Sequence, residues 1–115
     1  MPDQAIASSN LKAPQVAPQI DSKQAFLTAN QFVLSYLRDM FSAGFPTRVV
    51  FPTQSIWAVP VVLTYPKLGI VGEVGVVAVD AELGNVVGWT PFEEMERTAK
   101  ELYEGKKREI EAVFS

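Results

Sequence analysis

A series of short β-branched runs, separated by turn residues, occupies residues 47–90. In SIWAVPVVLTY, residues 55–65, every second side chain is large and apolar, which is the two-residue period of a strand. Turn-forming residues follow in YPKLG, residues 65–69, and in DAELGN, residues 80–85. This region therefore predicts about four antiparallel strands joined by tight turns.

Proline and glycine modify these predicted strands. Pro60 cannot donate to a strand ladder, so it predicts an edge strand or a bulge. Gly75 leads into valine-rich strand sequence and not into a helix that opens with Lys-Ser or Lys-Thr, so no phosphate-binding loop is predicted. Gly72 and Gly75 instead indicate a bulge, a bend or the close approach of a helix. Gly84 is predicted to adopt a positive φ in the second turn.

A first helix is predicted before the strands. Asp21 and Gln24 have the spacing of a capping box, and apolar residues continue at helical spacing as far as Phe41. Gly44, followed by Pro46, is predicted to end this helix.

A second helix is predicted after the strands. Thr90 is the expected N-cap, Pro91 the first helical residue, and Glu93 the second half of a capping box. The fold class is therefore α+β: a four-stranded antiparallel sheet with the N-terminal helix packed across it and a C-terminal helix on or beside it.

The chain of 115 residues has the size of one domain. Residues 1–20 are rich in Ala, Pro, Gln and Ser without an apolar period, which predicts a flexible N-terminal arm. Residues 21–115 are expected to form a single domain.

The chain contains neither cysteine nor histidine. Disulfides, thiolate nucleophiles, histidine-based catalytic triads and imidazole zinc sites are therefore excluded. No other residue pattern predicts a metal, cofactor or catalytic site, and we expect a protein that is not an enzyme.

Charge and hydropathy limit the partners of the chain. A net charge of −3 without an isolated basic patch argues against a nucleic-acid partner. The apolar runs are too short to span a membrane, and the N-terminus lacks the pattern of a secretory signal, so a cytoplasmic location is expected.

The segments WAVPVVLTYPKLGIVGEV, residues 57–74, and VDAELGNV, residues 79–86, together resemble the PepSY-type repeat. That family has a helix followed by an antiparallel sheet, in which one strand ends in Val-Asp-Ala before a glycine and a return strand. Its general shape is similar to cystatin-like folds. The resemblance covers about residues 22–90 and implies that fold, with a role in restraining peptidases outside the cytoplasm and no catalytic residues. The absence of a secretory signal and the long C-terminal helix depart from the family pattern.

Large apolar residues around the predicted sheet form either its core, a pocket or an interface. We expect a non-catalytic, cytoplasmic interaction domain that self-associates as a homodimer. One alternative is a small-molecule-binding protein or enzyme with an apolar pocket between sheet and helix. The other is an inhibitor or antitoxin-like partner of a second protein. The candidate pocket or interface residues are Trp57, Val59, Val61, Tyr65, Trp89 and Tyr103.

Overall fold

The computed structural model of the chain describes residues 19–114, with side chains as far as residue 112. The predicted α+β class is confirmed, because the chain runs from an N-terminal helix through an antiparallel sheet to a C-terminal helix. In chain order the elements are α1 (Ser22–Tyr36), β1 (Phe41–Ala43), β2 (Thr47–Phe51), β3 (Gln54–Tyr65), β4 (Gly69–Asp80), β5 (Val86–Trp89) and α2 (Phe92–Phe114).

Strand β3 lies at the centre of the sheet. Along one side it pairs with β4, and along the other side it pairs with β2 and then with β1. Among the described residues, β5 pairs with β4 and with no other strand, so it forms one edge of the sheet. Helices α1 and α2 contribute to the same core cluster, in which alternate β3 residues Val59, Val61 and Leu63 are buried. The predicted two-residue period of this strand is confirmed.

The prediction that Pro60 marks an edge strand is wrong, because β3 has neighbours on both sides. Pro60 lies opposite the break between β1 and β2, so its missing amide hydrogen interrupts neither ladder. Its carbonyl accepts a hydrogen bond from the Gly44 amide at 2.8 Å. A bulge, the alternative prediction, occurs next to Pro60, because the ladder between β3 and β4 shifts register between Val61 and Val62.

Helix α1 begins as predicted and ends earlier than predicted. The Gln24 amide donates to the Asp21 carboxylate at 2.9 Å, and the Asp21 amide donates to the Gln24 side chain at 3.2 Å, which completes the capping box. The expected continuation to Phe41 is wrong, since the helix ends at Tyr36 and a short strand follows. Pairing with β3 and complete burial of Phe41 outweigh the local helical spacing.

Helix α2 begins one residue later than predicted. The Met95 amide donates to the Pro91 carbonyl at 3.1 Å, so Pro91 occupies the N-cap position. The predicted Thr90 cap is wrong, because the Thr90 hydroxyl oxygen accepts from the Val76 amide at 3.0 Å. The Thr90 amide also donates to the Val76 carbonyl, so this residue extends the sheet instead of closing a capping box with Glu93.

The glycines in β4 allow α2 to approach the sheet. A Cβ at Gly75 would lie 2.9 Å from the Met95 Cγ and 2.9 Å from the Thr90 Cβ. A Cβ at Gly72 would lie 2.9 Å from a terminal methyl group of Leu102. The predicted close approach of a helix is therefore confirmed at both positions.

The segment before α1 contacts the sheet. The Ile20 amide donates to the Ala81 carbonyl at 2.8 Å, and the Ile20 carbonyl accepts from the Trp57 indole at 3.1 Å. Residues 1–18 of the predicted flexible arm lie outside the described residues. Within residues 19–114, no helix is long and apolar enough to cross a membrane.

The turn between β4 and β5 is held by Asp80. Its carboxylate accepts hydrogen bonds from the amides of Glu82 and Leu83, each at 2.8 Å. Gly84 has a φ of 78°, as the sequence predicts. The hydrogen bonds from Leu83 and then Glu82 lower the pKa of Asp80, because they favour the charged carboxylate.

Asp80→Asn is expected to destabilise the protein at neutral pH, since the amide oxygen is a weaker acceptor than a carboxylate. A lowered folded-state pKa contributes stability above the unfolded-state pKa and loses it as pH falls through the folded-state value. The difference in unfolding free energy between wild type and variant should therefore shrink as the pH falls below the ordinary value of 3.8. Urea unfolding at pH 7 and at several acidic pH values measures this difference.

Glu82→Gln is the matched control, because it removes the same charge from the same turn without removing the acceptor of the turn amides. A stability difference for Asp80→Asn that stays constant into the acid range would contradict the assigned role of this carboxylate.

Candidate functional site

The six residues singled out in the sequence lie in four different places. Val59 and Val61 are completely buried beneath the helices and belong to the core. Trp57 lies half-buried near the residues that precede α1. Tyr65 and Tyr103 line a cleft beside α2, and Trp89 lies at the end of the edge strand. The structure therefore does not bring these residues into one pocket.

Trp57 connects the sheet to the segment before α1. Its indole nitrogen donates to the Ile20 carbonyl, as described above, and the Arg48 guanidinium carbon lies 5.5 Å from its ring centroid. Arg48 also bonds the side chain of Gln19. The indole N–H and one face of the Trp57 ring therefore both make contacts within the chain.

Trp89 belongs to a surface that we call the aromatic corner, which consists of Phe32, Tyr36, Trp89 and Phe92. The ring centroids of Phe32 and Trp89 are 5.0 Å apart, and those of Tyr36 and Phe92 are 5.6 Å apart with nearly parallel planes at 17°. Trp89 and Phe92 are also nearly parallel, at 6.1 Å and 19°. These separations are those of favourable aromatic pairs.

Local structure brings the four rings together. Phe32 and Tyr36 are one turn apart on α1, so their side chains share a face of the helix. Trp89 is the last residue of β5, and Phe92 begins α2 after only two intervening residues. The corner thus forms where the end of α1 meets the junction of β5 and α2.

Much of the aromatic corner faces solvent. Tyr36 is 63% exposed and Trp89 is 48% exposed, while Val87 on the same edge strand is 46% exposed. The segment from Val86 to Pro91 contains no charged residue. Exposed aromatic rings in contact with one another, beside an uncharged segment, are typical of an interaction site.

A second feature is an open cleft of about 650 Å³ between α2, the end of β3 and the loop that follows α1; we call it the α2 cleft. Leu63 and Ala99 supply apolar side chains, and the rings of Tyr65 and Tyr103 are 6.4 Å apart. The charged side chains that line the cleft are Arg38, Glu93, Glu96, Arg97 and Lys100.

Arg38 and Glu96 form an ion pair at one wall of the α2 cleft. The two guanidinium nitrogens donate to the two carboxylate oxygens at 2.8 and 3.3 Å. The hydrogen bond to Glu96 raises the pKa of Arg38, so this guanidinium remains charged at every accessible pH. Arg97 and Lys100 make no ion pair with any residue in the described part of the chain.

The structure adds residues that the sequence prediction did not name. Phe32 and Tyr36 join Trp89 from a distant part of the chain, and their four-residue spacing is the only local sign of that surface. Arg97 and Lys100 share one face of α2 through their three-residue spacing.

Between residues 19 and 114, no three metal-ligating side chains come together.

The fold and these two surfaces define a small α+β domain with an exposed aromatic surface and an open cleft. No protein-family model, curated protein or solved structure matches the chain. The resemblance to the PepSY-type repeat therefore stays a prediction.

Proposed function

We propose that this chain is a non-catalytic interaction domain that forms a homodimer through the aromatic corner and the adjoining free edge of β5. The exposure of Tyr36 and Trp89, noted above, is the observation that carries the proposal. Tyrosine and tryptophan are enriched among the residues that contribute most of the binding energy at protein interfaces. Burying these two rings against a partner would remove a large apolar area from water.

A second copy of the chain is the partner that this surface fits best. In a two-fold dimer the same patch contacts itself, so a charged patch would repel its own copy. The segment from Val86 to Pro91 carries no charge and avoids this repulsion. In the part of the chain that the structure describes, β5 also has one side without a neighbouring strand, and such a side is a template for antiparallel pairing with an identical strand.

The test is the solution mass of wild type and of Val87→Lys, measured by light scattering at micromolar concentration. Val87 is exposed on β5, so lysine should be tolerated in the isolated fold. In a two-fold interface it places two like charges face to face. We expect the wild type to have twice the chain mass and Val87→Lys to have the mass of one chain. Trp89→Lys should give the same result.

Phe45→Lys is the matched control, because Phe45 is 91% exposed on the side of the sheet away from β5. This variant should remain dimeric, and circular dichroism of all variants should retain the wild-type spectrum. A wild-type monomer at low salt, or a dimer broken by Phe45→Lys but not by Val87→Lys, would refute the proposed interface.

A further inference from the structure

We propose that the α2 cleft binds a small organic anion with a planar apolar body, of which an aromatic carboxylate is the simplest example. This inference goes beyond the proposed dimerisation. The residues of the aromatic corner do not line the cleft, so either proposal can fail while the other holds.

The dimensions and the apolar lining of the cleft suit a planar body. A volume of about 650 Å³ lies within the range of small-molecule sites in proteins. Leu63 and Ala99 form the floor of the cleft, and both residues belong to the core cluster, so their positions are fixed by packing. Both are almost completely buried, which leaves the tyrosine rings as the main apolar contact for a ligand. The rings of Tyr65 and Tyr103, inclined at 40°, offer aromatic surface to a third ring.

The charges of the cleft favour an anion. Arg38 and Glu96 neutralise one another through their bidentate pair. Of the remaining charged groups in the lining, Arg97 and Lys100 are cationic and Glu93 is anionic, which leaves a local excess of one positive charge. The chain as a whole has a net charge of −3, so this local sign is opposite to that of the molecule.

The order of these groups along α2 indicates where the anion would lie. Glu93 is in the first turn of the helix, and Arg97 and Lys100 follow one and two turns later. Tyr103 follows Lys100 by three residues, so it lies on the same face of the helix. A carboxylate at the Arg97–Lys100 end thus places its aromatic body beside Tyr103 and away from the Glu93 carboxylate.

The experiment is a two-dimensional amide NMR titration of the full chain with 2-naphthoate. We expect saturable shifts of the amides of Leu63, Tyr65, Ala99 and Tyr103. The neutral analogue 2-naphthylmethanol has the same aromatic body but no carboxylate. It should bind about tenfold more weakly, because it lacks the hydrogen bond of a charged carboxylate to Arg97 or Lys100.

Arg97→Gln combined with Lys100→Gln should reduce naphthoate affinity to that of the neutral analogue. The control is Lys106→Gln combined with Arg108→Gln, which removes two positive charges from an exposed part of the same helix outside this cleft. That control should retain wild-type affinity. Absent or non-saturating shifts at the cleft, equal binding of the two ligands, or an equal loss of affinity in the control variant would each overturn the proposal.

Discussion

Phe41→Ala is expected to lower the free energy of unfolding by about 3–5 kcal/mol, the usual cost of truncating a buried phenylalanine to alanine. Phe41 has 0% exposure and is among the largest completely buried side chains. It is held between β3, to which β1 is paired, and the helices of the core cluster, so neighbouring groups cannot easily fill the vacated volume. Urea unfolding monitored by circular dichroism measures the change.

Phe45→Ala is the matched control for this prediction. It makes the same chemical change four residues later, at a side chain that is 91% exposed. The expected change in unfolding free energy is within about 0.5 kcal/mol. Equal effects at the two positions would mean that residues 41–43 do not form the buried strand on which the prediction depends.

Gly75→Ala is expected to lower the unfolding free energy by about 1–3 kcal/mol, the usual cost of overpacking a well-packed contact. The added methyl group would lie 2.9 Å from the Met95 Cγ and the Thr90 Cβ, so either α2 or its entry from β5 must move. Met95 is completely buried and has little freedom to give way. Thermal or urea unfolding of the purified variant measures the loss.

Gly88→Ala is the comparison for Gly75→Ala, because Gly88 also lies in a strand but has no atom within 4 Å of the added Cβ. Unlike Gly69 and Gly84, Gly88 does not have a positive φ. Alanine there should leave stability unchanged or raise it by up to about 1 kcal/mol, since it restricts the unfolded chain. A Gly75→Ala variant as stable as Gly88→Ala would show that α2 does not pack closely on β4.

Features that depend on residues close together in the chain were predicted correctly from the sequence. The capping box at Asp21, the alternation of Val59, Val61 and Leu63, and the Asp80 turn with its positive-φ Gly84 were all predicted and confirmed. Each depends on contacts within a few residues or on the two-residue period of a strand. The α+β class follows from the order of these elements along the chain.

Predictions failed where a local preference competed with a distant partner. Phe41 fits the helical period, yet it belongs to strand β1, which pairs with β3. The Thr90 hydroxyl could cap α2, yet it bonds the Val76 amide across the sheet. Pro60 is suited to an edge, yet it lies in the central strand because the neighbouring strand is interrupted beside it. For Phe41 and Thr90, pairing within the sheet outweighs a local preference of about 1 kcal/mol. Pro60 needs no such compensation, because no ladder hydrogen bond is required at its position.

The sequence by itself determined the class of fold, the turns and the chemistry that the absence of cysteine and histidine excludes. Only the tertiary structure decided which side chains share a surface. Arg38 and Glu96 are 58 residues apart in the chain, and Phe32 reaches Trp89 only because α1 crosses towards the end of β5. Such contacts depend on how packed elements are placed relative to one another, and periodicity along the chain records only which face of an element is apolar.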